Sequence, residues 1–472
     1  LPKHSVSEVP FNWLVHGTFT NFYIENTSTE DAVVTLTQTG TPTATSNGSI
    51  YTRFNEKGNS NSFALLATPT AAGSWTVNVP AGKRIYIAST KQTGESTSIY
   101  KSITCDKSFS VNKDITWMLN YNTNTGDGGK VLDLTGHNYC FFWVFKNSTT
   151  LTDASNLELT PTTLSQYCYN NMFYGYMFRN CSSLTTAPAL PATTLDDACY
   201  YYMFYNCTSL QSVPELPATT LASSCYAYML ANCTSLQTAP ELPATTLAQS
   251  CYHGMFVNCS NLTTPPTLQA TIMKPYCYSG MFANCTRLVN VPALPATTLA
   301  NYCYESLFDG CTSLVNAPTL PATTLANYCY SFMFSGCTSL INAPALPATT
   351  LADYCYEYMF SGCTNLVNAP QLAATTLATY CYQDMFENCS KLTAAPTLPA
   401  TNLASQCYRE MFYGCSSLNS IHWGANNAPT TGLTYEWVNG VPSTGTFYRK
   451  YTSWTVSYGT SRVPTGWTVT TY

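Results

Sequence analysis

The sequence predicts a mostly β chain built as an N-terminal β-sandwich, a solenoid of about eleven repeats and a C-terminal β cap. Three observations predict it. Cysteines recur at fixed intervals from Cys199 to Cys415. Short apolar–polar alternations separated by turn residues fill the first 120 or so positions. Bulky residues alternate with polar ones again near the end, at Trp437, Phe447, Trp454 and Trp467. The expected boundaries are 1–122, 123–420 and 421–472.

In the first region, Phe19–Glu25, Ala32–Leu36, Ser74–Val79 and Arg84–Ala88 alternate in the period of a half-buried strand. They predict an antiparallel sandwich of six to eight strands, with lone Cys105 filling core. The segment Gly126–Lys130 lacks the spacing and terminal hydroxyl of a phosphate loop and reads as a polar turn.

From Cys199 onward the cysteine gaps alternate between 8 and 18, a period of 26. One unit reads CYSFMFSGCTSLINAPALPATTLADY, Cys329–Tyr354. Such regularity is the signature of stacked repeats. Degenerate copies precede it: Cys168 and Cys181 bracket a segment with five extra residues, and 140–151 fits the template with Ser148 in place of the second cysteine. A loosened first unit is expected where a solenoid meets another domain.

Each column has a physical reading. Leu314, Leu340, Leu366 and their equivalents must stack inward, because one such unit cannot bury a face alone. The Met–Phe pair, as in Met333–Phe334, supplies at least one more core residue. The residue before the second cysteine is always Asn or Gly, such as Asn284 or Gly310. These two tolerate positive φ best, so the column marks a turn or helix C-cap. The N-x-S/T glycosylation pattern that the asparagines create disappears wherever Gly substitutes. Columns of proline (Pro318, Pro344, Pro370) end Leu-x-x-Ala/Val, read as one short parallel strand per repeat. For Leu351–Phe360 the residues leave two readings. Leu351, Cys355 and Met359 fall four apart, as on a helix, while Tyr354, Tyr356, Tyr358 and Phe360 alternate, as on a strand.

Two columns of buried free thiols are the expectation for the cysteines, with bonds such as Cys329–Cys337 as the alternative. Zinc wants ligands two to four residues apart, which these are not.

Charged residues are only 9% of the chain and the net charge is −5. No Lys/Arg stripe suits a nucleic acid partner, and no apolar run of membrane-spanning length occurs. The chain starts at Leu1 without a signal peptide, so a processed product is expected. The five histidines are scattered and form no catalytic motif; neither an enzyme, a cofactor nor a metal is expected.

The core Phe334-Ser-Gly-Cys337-Thr-Ser-Leu340 resembles the BspA-like leucine-rich repeats of bacterial surface proteins. The longer form 333–360 resembles a 26-residue variant of gut Bacteroidetes and their phages. The resemblance implies a leucine-rich-repeat solenoid displayed outside the cell and adhesion to a host protein or glycan. It supplies no ligand residues. Departure from the usual unit, by three residues in the Pro-Ala-Thr-Thr region, leaves curvature open. The alternative is a structural subunit of a phage appendage, virion fibre or extracellular assembly, with self-association. Contacts should come from columns that vary while the core stays fixed. These nominate Tyr201, Tyr202, Tyr228, His253, Glu305, Phe332, Tyr358 and Arg409 as the candidate ligand-binding surface, His253 being read as a surface residue.

Overall fold

The computed structural model describes residues 23–38, 50–54, 64–67, 73–89, 101–115, 144–164 and 176–472. The turn at Gly126–Lys130 and the cysteines Cys140 and Cys168 lie outside the described residues. The chain divides into two compact units, Leu1–Thr220 with Asn232–Leu236, and Leu221–Ala231 with Gln237–Tyr472.

The first unit opens with eight strands: β1 (Tyr23–Asn26), β2 (Ala32–Gln38), β3 (Ile50–Phe54), β4 (Ala64–Ala67), β5 (Gly73–Val79), β6 (Arg84–Ser89), β7 (Lys101–Cys105) and β8 (Phe109–Asp114). They pair antiparallel in two sheets, β8-β1-β6-β3-β4 and β5-β2-β7. Alternation sets which side chains go inward: Ala32, Val34 and Leu36 of β2 are buried while their neighbours are half-exposed. Cys105 is buried, as expected.

The first coil grows directly on these sheets. Its strands β9 (Leu151–Asp153) and β10 (Leu157–Glu158) pair with β8 in parallel. The β7 amide of Ile103 donates to the Val144 carbonyl at 2.7 Å, and Thr150 Oγ1 donates to the Cys105 carbonyl at 2.6 Å. Asp153 then bridges Thr186, and Thr186 bridges Ser212. A parallel ladder in this unit therefore starts on an edge strand of the N-terminal sheets, which removes an open edge.

In the coils, Leu184, Leu210 and Leu236 of the first unit and Leu262 through Leu418 of the second are fully buried. Both members of the Met–Phe pair are buried too, as is the Tyr after the first cysteine, such as Tyr330 and Tyr356. In the second unit the buried Tyr and Phe columns stack coil on coil, with centroids 5.6–6.0 Å apart.

The expected strand per repeat shrinks to single parallel bridges, such as Asn316–Asn342 and Asn342–Asn368. Proline two residues after the bridge removes the amide that would extend it. A second bridge forms at the Thr-Thr pair, as between Thr324 and Thr350. True strands appear late: β11 (Ala394–Leu398), β12 (Ser420–Trp423), β13 (Thr446–Arg449) and β14 (Thr468–Thr471) make one parallel sheet. Ala394 pairs with Ser420 and Ser420 with Thr446, each 26 residues on. The cysteines stop after Cys415, yet the coil length persists beyond it, with Trp437 following Met411 at the same interval.

The segment around Leu351–Phe360 is neither helix nor strand. Alternate amides bond backward within the coil, Glu357 N to Tyr354 O and Met359 N to Tyr356 O. The amides between them bond to the next coil, Tyr354 N to Thr379 O, Tyr356 N to Cys381 O and Tyr358 N to Gln383 O. The result is a ribbon of successive turns, with strand-like pairing on every second residue. Its side chains repeat every four positions: Cys355 and Tyr356 buried, Glu357 and Tyr358 half-exposed, Met359 and Phe360 buried. Both periodicities in the sequence are therefore real, and each belongs to a different set of bonds.

The Asn/Gly column adopts positive φ throughout, from 57° to 71°, as a turn column should. Asn284 Nδ2 donates to Asn258 Oδ1 at 3.0 Å, a link in a side-chain ladder. A Cβ at Gly310 would come within 2.2 Å of Asn284 Oδ1 as that amide now lies, so a side chain there would require the Asn284 amide to turn.

All 20 described cysteines are buried free thiols. The second column has a specific task. Cys259, Cys285, Cys311, Cys337, Cys363, Cys389 and Cys415 each donate Sγ–H to a carbonyl 29 residues earlier, at 3.0–3.2 Å. Cys207 and Cys233 do the same in the first unit, and Cys181 donates to the Phe145 carbonyl 36 residues earlier, across the longer first coil. Ser148, in the cysteine position of the first coil, donates its hydroxyl to the Ile103 carbonyl of β7 at 2.8 Å. Burial pushes these thiols up, Cys311, Cys363 and Cys415 to about 12, so they remain protonated donors.

Two outcomes follow. Thiol titration without reductant should find the native protein unreactive and, in denaturant, count at least 20 free thiols; a lower count means bridges. Cys337→Ser keeps a donor for the Phe308 carbonyl, whereas Cys337→Val strands it at a cost of roughly 1–3 kcal/mol. Thermal unfolding should rank the parent above the serine variant and the serine variant above the valine.

Candidate binding surface

The turn ribbon sets which side chains reach solvent. Every fourth residue has positive φ, giving three columns per coil whose members are mostly partly exposed, with Asp384 and Gly254 buried. The Asn/Gly column is one. The second runs Tyr202, Tyr228, Gly254, Gly280, Ser306, Phe332, Tyr358, Asp384, Glu410, and coincides with a variable column of the sequence. The third precedes the first cysteine of each repeat: Ala198, Ser224, Ser250, then Tyr276, Tyr302, Tyr328, Tyr354, Tyr380 and Gln406.

Five tyrosines of the third column form a ladder on the second unit. Consecutive rings from Tyr276 to Tyr380 lie 4.5–4.9 Å apart, with planes within 4–9° of parallel. All five are half-exposed. Left-handed backbone costs a side-chain-bearing residue about 1–2 kcal/mol, and tyrosine has no local hydrogen bond to offset it as Asn does. The inter-coil bonds of the ribbon hold it there. Because the rings are cofacial, each covers its neighbour's face, and the ladder offers edges and phenol hydroxyls. Beside it, Phe332 stacks on Tyr358 at 4.5 Å.

Between these columns lies the row that includes Ser279, Glu305, Ser331 and Glu357. Ser279 Oγ donates to Glu305 Oε2 and Ser331 Oγ to Glu357 Oε2, both at 3.1 Å. Burial raises both carboxyls above the usual range. Asp384 is 1% exposed, and neither oxygen has a hydrogen bond of good geometry. Burial pushes its carboxyl up to about 7.

The residues nominated by the sequence divide into local groups. In the first unit Tyr201 meets Tyr202 edge-on at 4.3 Å, Tyr202 stacks on Tyr176 at 5.2 Å, and the Arg179 guanidinium lies 5.5 Å over the Tyr202 ring. In the second, Tyr228 OH and His253 Nε2 share a 2.6 Å hydrogen bond. His253 is therefore a half-buried packing residue and not the free surface group expected of it: its ring also meets Tyr276, and burial lowers its pKa toward the neutral form. Gly254 follows because a Cβ there would lie 2.4 Å from the Tyr228 ring. Glu305, Phe332 and Tyr358 stand beside the ladder as described. Arg409 pairs with Glu410 at 3.0 Å and lies 4.7 Å over Tyr435. The ladder itself was missed, since Tyr is no marker of positive φ. Counting back eight residues from the Asn/Gly column would have found it.

The BspA type leucine rich repeat region model matches residues 171–306 and 352–430, in six copies. No curated protein and no solved structure matches the chain. Among the described residues no group of three or more His, Cys, Asp or Glu is placed to hold a metal ion, and no helix is long and apolar enough to cross a membrane. The matched repeats, with variable columns on their turns, make this a repeat-surface protein.

A raised carboxyl makes the folded state bind protons more tightly than the unfolded chain, so stability must rise as pH falls through that window. The Asp384 cost is full above about 7 and gone below the unfolded value near 3.8. The melting temperature should therefore climb from about pH 8 to about pH 4, and Asp384→Asn should raise it at pH 8 and flatten the slope. Thermal unfolding across that range checks both; an unchanged slope in the variant contradicts the assignment.

Proposed function

We propose that the protein is an extracellular adhesion module that binds a host protein or glycan through the outward face of its turn ribbon, without catalysis. One observation carries this reading: five half-exposed tyrosines are cofacial in a column that Ala, Ser and Gln fill in other coils, so the backbone does not require an aromatic ring there. Stacked rings lose little conformational freedom on binding, and tyrosine gives a large contact with a polar tip. Edges and hydroxyls suit a flat protein partner better than a sugar ring seeking an open aromatic face. Tyr228, Glu305, Phe332, Tyr358 and Arg409 are its candidate contacts on the second unit, and Tyr201 and Tyr202 are separate candidates on the first. Display outside the cell fits a chain whose 20 described thiols are all buried, and the 26-residue unit favours an origin in gut Bacteroidetes or their phages.

A second reading, a structural subunit of a fibre or appendage, is favoured by a different face. Val289, Ile341 and Val367 follow the stacked leucines and are 49%, 44% and 38% exposed. Beside them Asn368 Nδ2 donates to Asn342 Oδ1 at 2.9 Å. An uncharged aliphatic stripe favours self-association, since no charge repulsion opposes it.

Attachment assays on immobilised matrix proteins, glycan arrays and cells separate the two. Tyr302→Ser/Tyr328→Ser/Tyr354→Ser should reduce attachment at least about tenfold, with melting behaviour close to the parent. Attachment unchanged in this variant contradicts the adhesion reading. Light scattering showing an ordered oligomer that Ile341→Lys/Val367→Lys disperses would favour the structural one.

A further inference from the structure

Away from the tyrosine ladder, the C-terminal coils of the second unit form an open cleft of about 990 Å³. We propose that this cleft binds a neutral saccharide. Its walls are two short segments, 426–433 and 451–454, and none of its nine lining residues is charged.

Two rings form the apolar part, Tyr451 and Trp454. The Trp454 indole is braced: the Arg449 guanidinium lies 5.0 Å over its ring and donates to its carbonyl at 2.9 Å, and Phe447 meets it edge-on. A ring held in place presents a fixed platform for the C–H face of a sugar. Its Nε1–H is buried with no acceptor among the described residues. A buried orphan donor beside a cleft calls for an acceptor from outside.

Four polar side chains complete the lining, Asn426, Asn427, Thr430 and Ser453. The backbone of this wall is already tied down, since the Trp423 indole donates to the Asn427 carbonyl at 2.8 Å and Ser453 Oγ to that of Asn426 at 3.3 Å. The side-chain amides of Asn426 and Asn427 are exposed and carry no hydrogen bond to another described residue. The Thr430 hydroxyl sits at a helix N-cap yet makes no cap bond. Fixed backbone with unspent amides and a hydroxyl matches the alternating donors and acceptors of sugar hydroxyls. The lining residues are uncharged, and the two nearby cations, Arg449 and Lys450, are stacked on the Trp454 and Tyr451 rings, so the lining itself favours a neutral sugar over a phosphate or carboxylate.

The test uses the full chain and four probes: cellohexaose, maltohexaose, xylohexaose and, as the charged comparison, a galacturonate hexamer. Binding is read by tryptophan fluorescence and saturation-transfer NMR. At least one neutral probe should bind, and Trp454→Ala should weaken it roughly tenfold or more. Asn426→Ala/Asn427→Ala, whose side chains are exposed, should weaken it while melting like the parent. The Tyr302/Tyr328/Tyr354 serine variant should bind the sugar unchanged, which separates this site from the adhesive surface. The proposal is overturned if no neutral probe binds, if binding survives both cleft variants, or if only the galacturonate binds and salt abolishes it.

Discussion

The division of amides in the turn ribbon underlies everything else in the coils. Half close turns within a coil; the other half reach the next coil, twenty-five residues on. A helix would spend all its amides internally, and a strand would spend all of them on neighbours. The split makes one segment both a compact turn series and a rung of a ladder. It fixes the rise between coils, and so determines how closely equivalent side chains meet. Stacked Tyr and Phe columns, the asparagine ladder and the thiol-to-carbonyl bonds are all consequences of that fixed rise.

The thiols show how the ribbon settles its own accounts of polarity. Carbonyls such as that of Phe308 point into the core, where water cannot serve them. A hydroxyl would satisfy such a carbonyl, as Ser148 does for Ile103, but it brings more polarity than most of the core can absorb. A thiol is apolar enough to be buried and still donates weakly. This accounts for the abundance of cysteine without any appeal to disulfides or metal.

Much of this was readable from the residues alone. The period of 26, the inward leucines, the buried thiols and the positive φ of the Asn/Gly column follow from residue type and spacing, because each is a local preference repeated many times. The failures have a common cause. Leu-x-x-Ala was read as a short strand ended by proline, and it is shorter still, a single bridge, because which amide the neighbouring coil needs is not written in the segment itself. Leu351–Phe360 gave contradictory periods because its bonds alternate between two partners, and propensity describes one partner at a time. The C-terminal coils were hidden once Trp437 took the place of a methionine. Of the candidate surface, the variable columns were found, whereas the tyrosine ladder was not: its conformation is imposed by neighbouring coils against the preference of tyrosine itself. His253 looked free because its partner Tyr228 lies on the coil before it.

The regular offset between bonded residues has a further consequence, for the gene. Removing or duplicating one whole unit leaves every rung with an equivalent partner, so the surviving coils can close over the change. Losing a single residue shifts every rung past it onto the wrong side chain. Such a chain is free to drift in length by recombination between its own near-identical units, and strongly bound against drift within them. Reach, measured in coils, is the quantity that evolution can adjust most cheaply here.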